Sequence, residues 1–242
     1  MSVEVALVPP RRPESELRGV LAEAVDLFDD AADPVALLRW FAQRLGTPRM
    51  AVAVSFADGV MACLADRALP GVDLLFGDTG YHFAETLGFR DYVAGHYDVN
   101  VRSLQPELTV AEQDQRYGEH LWQRDPDLCC RMRKAAPLEA ALRGYDAWAT
   151  GLRRTDHEGR ARTPLFGWDE RHAMIKVNPI AAFTDERLDA CIQEYGILAN
   201  PLRQIGYRSI GCEPCTRPVA DHEDQRSGRW SGHGKVECGL HL

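Results

Sequence analysis

Met50-Ala51-Val52-Ala53-Val54-Ser55-Phe56 is an apolar run of strand length, closed by the turn residues Ala57-Asp58-Gly59. A run without polar alternation is one buried on both faces, as in a parallel sheet. The pattern then turns helical through Leu64. Val72-Asp73-Leu74-Leu75-Phe76 repeats the strand and ends in Gly77-Asp78-Thr79-Gly80-Tyr81. A helix is expected around Phe83 to Gly95, then a third strand at Asp98-Val99-Asn100-Val101. This β-α-β-α-β rhythm predicts an α/β fold with a single doubly wound, mostly parallel sheet flanked by helices. Ligands of such sheets bind beyond the carboxyl ends of the strands, where loops lead into helix N-termini. Ser55 to Gly59 and Asp78 to Tyr81 therefore fall at a nucleotide-type site. Turn chemistry alone also explains Gly and Asp at strand ends.

Upstream, Leu17, Val20, Leu21 and Val25, then Leu37, Leu38, Phe41 and Leu45, recur at helical spacing, with Asp33-Pro34 as cap and first-turn proline of the second helix. Residues 1–15 read as a disordered lead. Downstream, Thr109 and Glu112 form a capping box, Tyr145 to Thr150 and Ala173 to Val177 are strands, and 155–170 reads as a surface loop. Thr184 or Asp185 caps a helix through Leu188, Cys191, Ile192 and Tyr195. No repeat and no Pro/Gly-rich linker divides the chain. Residues 16–218 are expected as one domain and 219–242 as a mobile tail.

The 242 residues carry a net charge of −8, which argues against general nucleic-acid binding. Basic residues nonetheless crowd the middle: Arg131, Arg133, Lys134, Arg143, Arg153, Arg154, Arg160 and Arg162. A basic patch on an acidic chain suits a small anionic ligand, and a solvated charged face is the plainer reading of any one of them. No apolar run is long enough for a membrane span, and Met1 to Arg18 lacks a signal-peptide core, so a cytoplasmic location is expected.

In that compartment seven cysteines are metal ligands, catalytic thiols or core fillers rather than a disulfide framework. Cys129-Cys130 and Cys212-x-x-Cys215 make two pairs. Four thiolates can hold tetrahedral zinc or an iron–sulfur cluster. Adjacent cysteines diverge, which favours a 4Fe-4S cubane over one small ion; the alternative keeps only Cys212 and Cys215, as a redox pair. Cys63 and Cys191 sit at helical apolar positions and read as core. Cys238 stands alone in a polar tail, where Lys235, His241, Arg226 and Arg229 make electropositive surroundings for a reactive thiol. An inert thiol in a frayed tail is the bland reading.

Taken together, Asp78-Thr79-Gly80-Tyr81-His82-Phe83, Cys129-Cys130-Arg131-Met132-Arg133-Lys134, Gly151-Leu152-Arg153-Arg154, Lys176-Val177-Asn178-Pro179, Gly211-Cys212-Glu213-Pro214-Cys215, Arg226-Ser227-Gly228-Arg229-Trp230 and Glu237-Cys238-Gly239-Leu240-His241 resemble the assimilatory adenylyl-sulfate (APS) reductases, over roughly residues 35 to 242. The resemblance implies an adenine-nucleotide alpha-hydrolase-like fold shared with ATP pyrophosphatases. Those enzymes carry a Ser-Gly-Gly-x-Asp-Ser loop; here Ser55-Phe56-Ala57-Asp58-Gly59-Val60 lacks the Gly-Gly cradle, which fits a substrate without β,γ-phosphates. Paired cysteines imply adenosine 5′-phosphosulfate rather than its 3′-phosphorylated form, PAPS.

The resemblance also implies roles. Cys238 is the catalytic nucleophile. Cys129, Cys130, Cys212 and Cys215 hold one 4Fe-4S cluster. Lys134 lies between cluster and sulfate, Arg226 and Arg229 bind sulfate and phosphate, and Arg153 is a further candidate. Ser55, Phe56 and Asp58 line the adenosine pocket, and Gly151 and Leu152 are further substrate-binding residues. Reduced thioredoxin is the implied reductant. Two rivals remain at this point: an ATP-using enzyme of the same fold, and a zinc-stapled binding module with an incidental tail thiol.

Overall fold

The computed structural model describes residues 10–220, 222–235 and 237–239. Residues 1–9 of the expected lead, and Leu240 and His241 of the terminal motif, lie outside them. In chain order the elements are α1 (Glu14–Leu27), α2 (Pro34–Leu45), β1 (Met50–Val54), α3 (Val60–Ala68), β2 (Val72–Gly77), α4 (Ala84–His96) and β3 (Val99–Leu104). There follow α5 (Val110–Tyr117), α6 (Leu121–Arg124), α7 (Pro126–Cys130), a π-helical turn (Arg131–Ala135) and α8 (Ala136–Leu142). The chain continues with β4 (Ala147–Thr150), β5 (Phe166–Asp169), β6 (Met174–Val177) and α9 (Asp185–Tyr195).

The sheet order is β3-β2-β1-β4-β6-β5. All neighbours are parallel except β5, which runs antiparallel to β6. The chain starts in the middle at β1, works outward to β3, and returns to the other side of β1 at β4. The strand order therefore reverses between β1 and β4, and the crevice at their carboxyl ends is the place such a sheet offers a ligand.

Strand alternation sends side chains to two faces. Met50, Val52, Leu74, Phe76, Ala149, Ile175 and Val177 pack in one core with residues of α1, α2, α3, α4 and α9. Ala51, Leu75, Trp148 and Met174 face the other way, onto Leu138 and Leu142 of α8. Helices thus cover both faces, as the unbroken apolar strands require.

Two elements depart from expectation. The stretch 155–170 is not all loop: Phe166–Asp169 is an edge strand. Its residues are all half-buried, so it shows neither a buried run nor clean alternation, and tertiary pairing with β6 decides it. α1 begins inside the stretch read as lead, after Pro13, where Glu14 supports the helix through a 2.7 Å pair with Arg18. Arg12 reaches from the same stretch to the buried carboxylate of Asp146, which also takes two bonds from Arg49 at 2.8 and 2.6 Å.

Pro137 has no N–H to give the Arg133 carbonyl, and its ring crowds that carbonyl. The helix answers with the wider π turn over Arg131–Ala135 rather than a break. That turn carries the chain from Cys129 and Cys130 past Arg133 and Lys134, and it shapes the site.

Candidate functional site

A cavity of about 280 Å³ opens at the β1/β4 crevice, at the lower end of the range for small-molecule sites. β1 and its loop contribute Ser55, Phe56 and Asp58; β4 and its loop contribute Gly151, Leu152 and Arg153. Lys134 enters from the π turn, Arg226 and Arg229 from the loop after residue 220, and Cys238 from the tail. Every residue expected to bind substrate, and the expected nucleophile, thus lines one space. Seven Lys and Arg residues border it, against three carboxylates, Asp58, Asp156 and Glu237. In a chain of charge −8, that excess marks a site for an anion.

The cations are not equivalent. Arg153 is bound by Asp156 at 3.1 Å and Asp185 at 2.7 Å, so its charge is largely answered within the protein. Arg226 bonds Glu237 at 3.2 Å. Arg229 is 9% exposed, lies against Gly211, and has Ser209 Oγ at 3.4 Å and the Trp230 ring at 4.4 Å, and its Nε is buried without a partner among the described residues. Lys134 lines the four-cysteine pocket with Cys212 as well as the cavity. Burial opposes its charge, but the sulfurs of Cys212, Cys238 and Cys130 outweigh burial and Arg229, and its pKa is raised. Arg229 and Lys134 are therefore the cations with most capacity left for an incoming anion.

Phe56 borders the cavity but is itself buried. The residue is 1% exposed, its ring packs 5.0 Å from Phe76, and its φ of 55° is left-handed, a costly conformation for a bulky residue. Asn200 Nδ2 fixes the turn by donating to its carbonyl at 3.1 Å. Asp58 accepts from the Val60 N–H at 3.1 Å and pairs with Arg203 at 3.4 Å. His82, Arg203 and Arg208 also border the cavity. No motif flagged the two arginines; His82 stood in a quoted motif but was given no role.

Behind Lys134, Cys129, Cys130, Cys212 and Cys215 line one small pocket with Tyr81, Trp122 and Trp230. The Asp78-to-Phe83 loop holds it together. Thr79 Oγ1 lies 3.3 Å from Cys212 Sγ, the Glu213 N–H donates to the Tyr81 carbonyl at 2.7 Å, and Arg133 donates to the Thr79 carbonyl and to Gln113 Oε1. All four cysteines are free thiols, three buried and Cys215 half-buried. Burial pushes Cys129 up to about 12 and Cys215 to about 11, with the neighbouring cysteines adding to it. Burial raises Cys130 as well, whereas at Cys212 burial is outweighed by the Lys134 charge, Thr79 and Arg229, which lower it. Four converging thiols, three of which resist ionisation, are what a metal centre would relieve by binding them as thiolates. No group of three or more His, Cys, Asp or Glu placed to hold a single metal ion occurs among the described residues. Cys63 and Cys191, by contrast, lie in the main core.

The tail is bound across the cavity mouth. Lys235 pairs with Asp127, Glu237 with Arg160, His157 and Arg226, and Arg171 donates to the Gly239 carbonyl at 2.9 Å. Cys238 is half-buried between these anchors.

A doubly wound sheet with a cationic cavity at its switch point places the protein in the adenine-nucleotide alpha-hydrolase-like class. The chain belongs to the phosphoadenosine phosphosulfate reductase domain family, which it matches over residues 47–218. It is similar to the adenosine 5′-phosphosulfate reductase of Streptomyces coelicolor, 52% identical over 234 residues, 97% of this chain and 98% of that protein. The enzyme of the same name from Mycolicibacterium smegmatis is 51% identical over 231 residues, 95% of this chain and 96% of that one. The crystal structure of phosphoadenylyl-sulfate (PAPS) reductase from Candida auris, a phosphate complex, superposes with a TM-score of 0.65 over 90% of this chain and 99% of that one. At 24% identity that likeness concerns the fold. Among the described residues no helix is long and apolar enough to cross a membrane.

Proposed function

We propose that this chain reduces adenosine 5′-phosphosulfate to sulfite and AMP through a sulfonated Cys238, in cytoplasmic sulfate assimilation toward cysteine. The observation that carries this reading is that Cys238 borders the same cavity as Ser55, Lys134, Arg226 and Arg229. The substrate named by the relatives, at about 50% identity, fits that cavity's charge.

In the first step the Cys238 thiolate attacks the sulfate sulfur. An S–S bond forms, the S–O bond to phosphate breaks, and AMP leaves with the electron pair. This is covalent catalysis, which divides one difficult reduction into two displacements. Negative charge builds on the departing phosphate, and fixed cations lower that barrier. Arg229 and Lys134 are placed to do so, with Arg226 beside them. In the second step a thiolate of reduced thioredoxin attacks Cys238 Sγ and sulfite departs. The donor's second thiol resolves the mixed disulfide and restores Cys238. Two thiols are oxidised to a disulfide as sulfur falls from S(VI) to S(IV), so the electrons balance without another donor.

Cys129, Cys130, Cys212 and Cys215 would hold one 4Fe-4S cluster, whose four metal corners accommodate divergent neighbouring cysteines. When bound, it supplies a fixed charge distribution behind Lys134. The test of the whole reading is single turnover: anaerobic protein mixed with adenosine 5′-phosphosulfate should gain one SO3 on Cys238 and release AMP, and reduced thioredoxin should then discharge sulfite.

A further inference from the structure

The residue beside the tail cysteine is more firmly held than the cysteine itself. Glu237 Oε1 accepts from Arg160 Nε at 2.5 Å and from His157 Nε2 at 2.7 Å, and Oε2 accepts from Arg226 at 3.2 Å. His157 Nδ1 accepts from the Gly159 N–H at 3.0 Å. Its Nε2 therefore carries the proton in the neutral ring, and the contact needs no imidazolium. Arg160 is braced in turn by Asp156 at 2.7 Å. The side chains of Glu237, Arg160, His157 and Arg226 are between 10% and 15% exposed, so the cluster is nearly dry.

Burial alone would raise the Glu237 carboxyl; Arg160, Arg226 and His157 outweigh it and hold the group at about 2. The other anchors have at least one wetter partner, although Lys235 itself is 10% exposed. Asp127, the partner of Lys235, is 77% exposed, and Arg171, which holds the Gly239 carbonyl, is 42% exposed. Exposed contacts of that kind contribute little. Glu237 and Arg160 also border both the 280 Å³ cavity and a neighbouring outer groove of about 650 Å³. They form part of the wall between the two.

We propose that Glu237 is the positioning residue for Cys238: clasped by Arg160, His157 and Arg226, it holds the thiol inside the cavity, and its release is the step that exposes Cys238 to a second thiol. The consequence for turnover rests on the function proposed above; the clasp itself does not. Arg226 serves both the clasp and the cavity, so an anion in the cavity and the latch draw on one cation.

Glu237→Gln removes the charge and keeps the shape, and Glu237→Asp restores the charge. In the cluster-loaded protein without nucleotide, alkylation of Cys238 by iodoacetamide, located by peptide mass, should quicken about tenfold in Glu237→Gln and in Arg160→Met, and less in Glu237→Asp. Sulfonation of Cys238 in a single turnover should slow about tenfold in Glu237→Gln, although AMP, which competes with Glu237 for Arg226, should bind no more weakly than to wild type. The Glu237→Gln/Arg160→Met double variant should be no worse than the worse single, because one clasp is broken once. Unchanged alkylation in Glu237→Gln, or effects that add in the double variant, would overturn the proposal. If the wild-type chain gains no sulfonate from adenosine 5′-phosphosulfate, the proposed function fails, and the alkylation arm still decides the clasp.

Discussion

Gly211 and Arg229 occupy one another's space: a Cβ on Gly211 would fall 2.1 Å from Nη2 of Arg229 and 2.4 Å from Cζ. The glycine next to Cys212 is thus what lets the guanidinium lie against the backbone. Gly211→Ala should displace Arg229 and raise KM for adenosine 5′-phosphosulfate about tenfold, with the cluster's visible absorption retained. Steady-state kinetics beside the spectrum check this. An unchanged KM would mean that Arg229 does not touch the substrate.

Lys134 stands between the cavity and the four-cysteine pocket, lining both. If it stabilises charge on the departing phosphate, Lys134→Met should slow single-turnover sulfonation by about a hundredfold. Iron content should hold. Loss of iron with the rate would make the lysine structural instead.

The four thiols predict iron analysis of about four iron and four sulfide per chain. Cys129→Ala and Cys215→Ala should each lower iron content. A single zinc in freshly isolated protein would support a mononuclear site and contradict the cluster.

Asp146 is fully buried between Arg49 and Arg12. Burial acts to raise its pKa, but bonds from Arg49 and the Arg12 N–H outweigh it and hold the group below the ordinary aspartate value. A depressed carboxyl stabilises the fold above its unfolded value and loses that contribution as pH falls through the folded one. Asp146→Asn should therefore cost about 3 kcal/mol at neutral pH, read from denaturant midpoints. The gap to wild type should narrow only below roughly pH 4. A gap that held constant into acid would refute the ion pair.

Much of this was legible because the strands that build the switch point are buried on both faces. β1 and β2 announce themselves as unbroken apolar runs, and the loops after them must then reach the crevice. β5 stayed hidden because its four half-buried residues follow neither strand pattern. The paired cysteines and the tail thiol stood out by rarity. Arg203 and Arg208 did not, because a surface arginine and a cavity arginine look alike until the chain folds over β1. Phe56 was placed at the right loop, but periodicity cannot say that its φ is left-handed and its ring packed into the core. Glu237 sat in a quoted motif without a role, since its partners Arg160 and His157 lie 77 and 80 residues away.

The central claim is that Cys238 takes the sulfonate from adenosine 5′-phosphosulfate. Intact-protein mass spectrometry under anaerobic conditions tests it most directly, comparing wild type with Cys238→Ser and the substrate with its 3′-phosphorylated form. The account predicts a single SO3 adduct on wild type, located to Cys238, absent in the serine variant, and favoured by the substrate lacking the 3′-phosphate. An adduct on Cys238→Ser, or AMP release from wild type with no adduct and continued sulfite production, would contradict it.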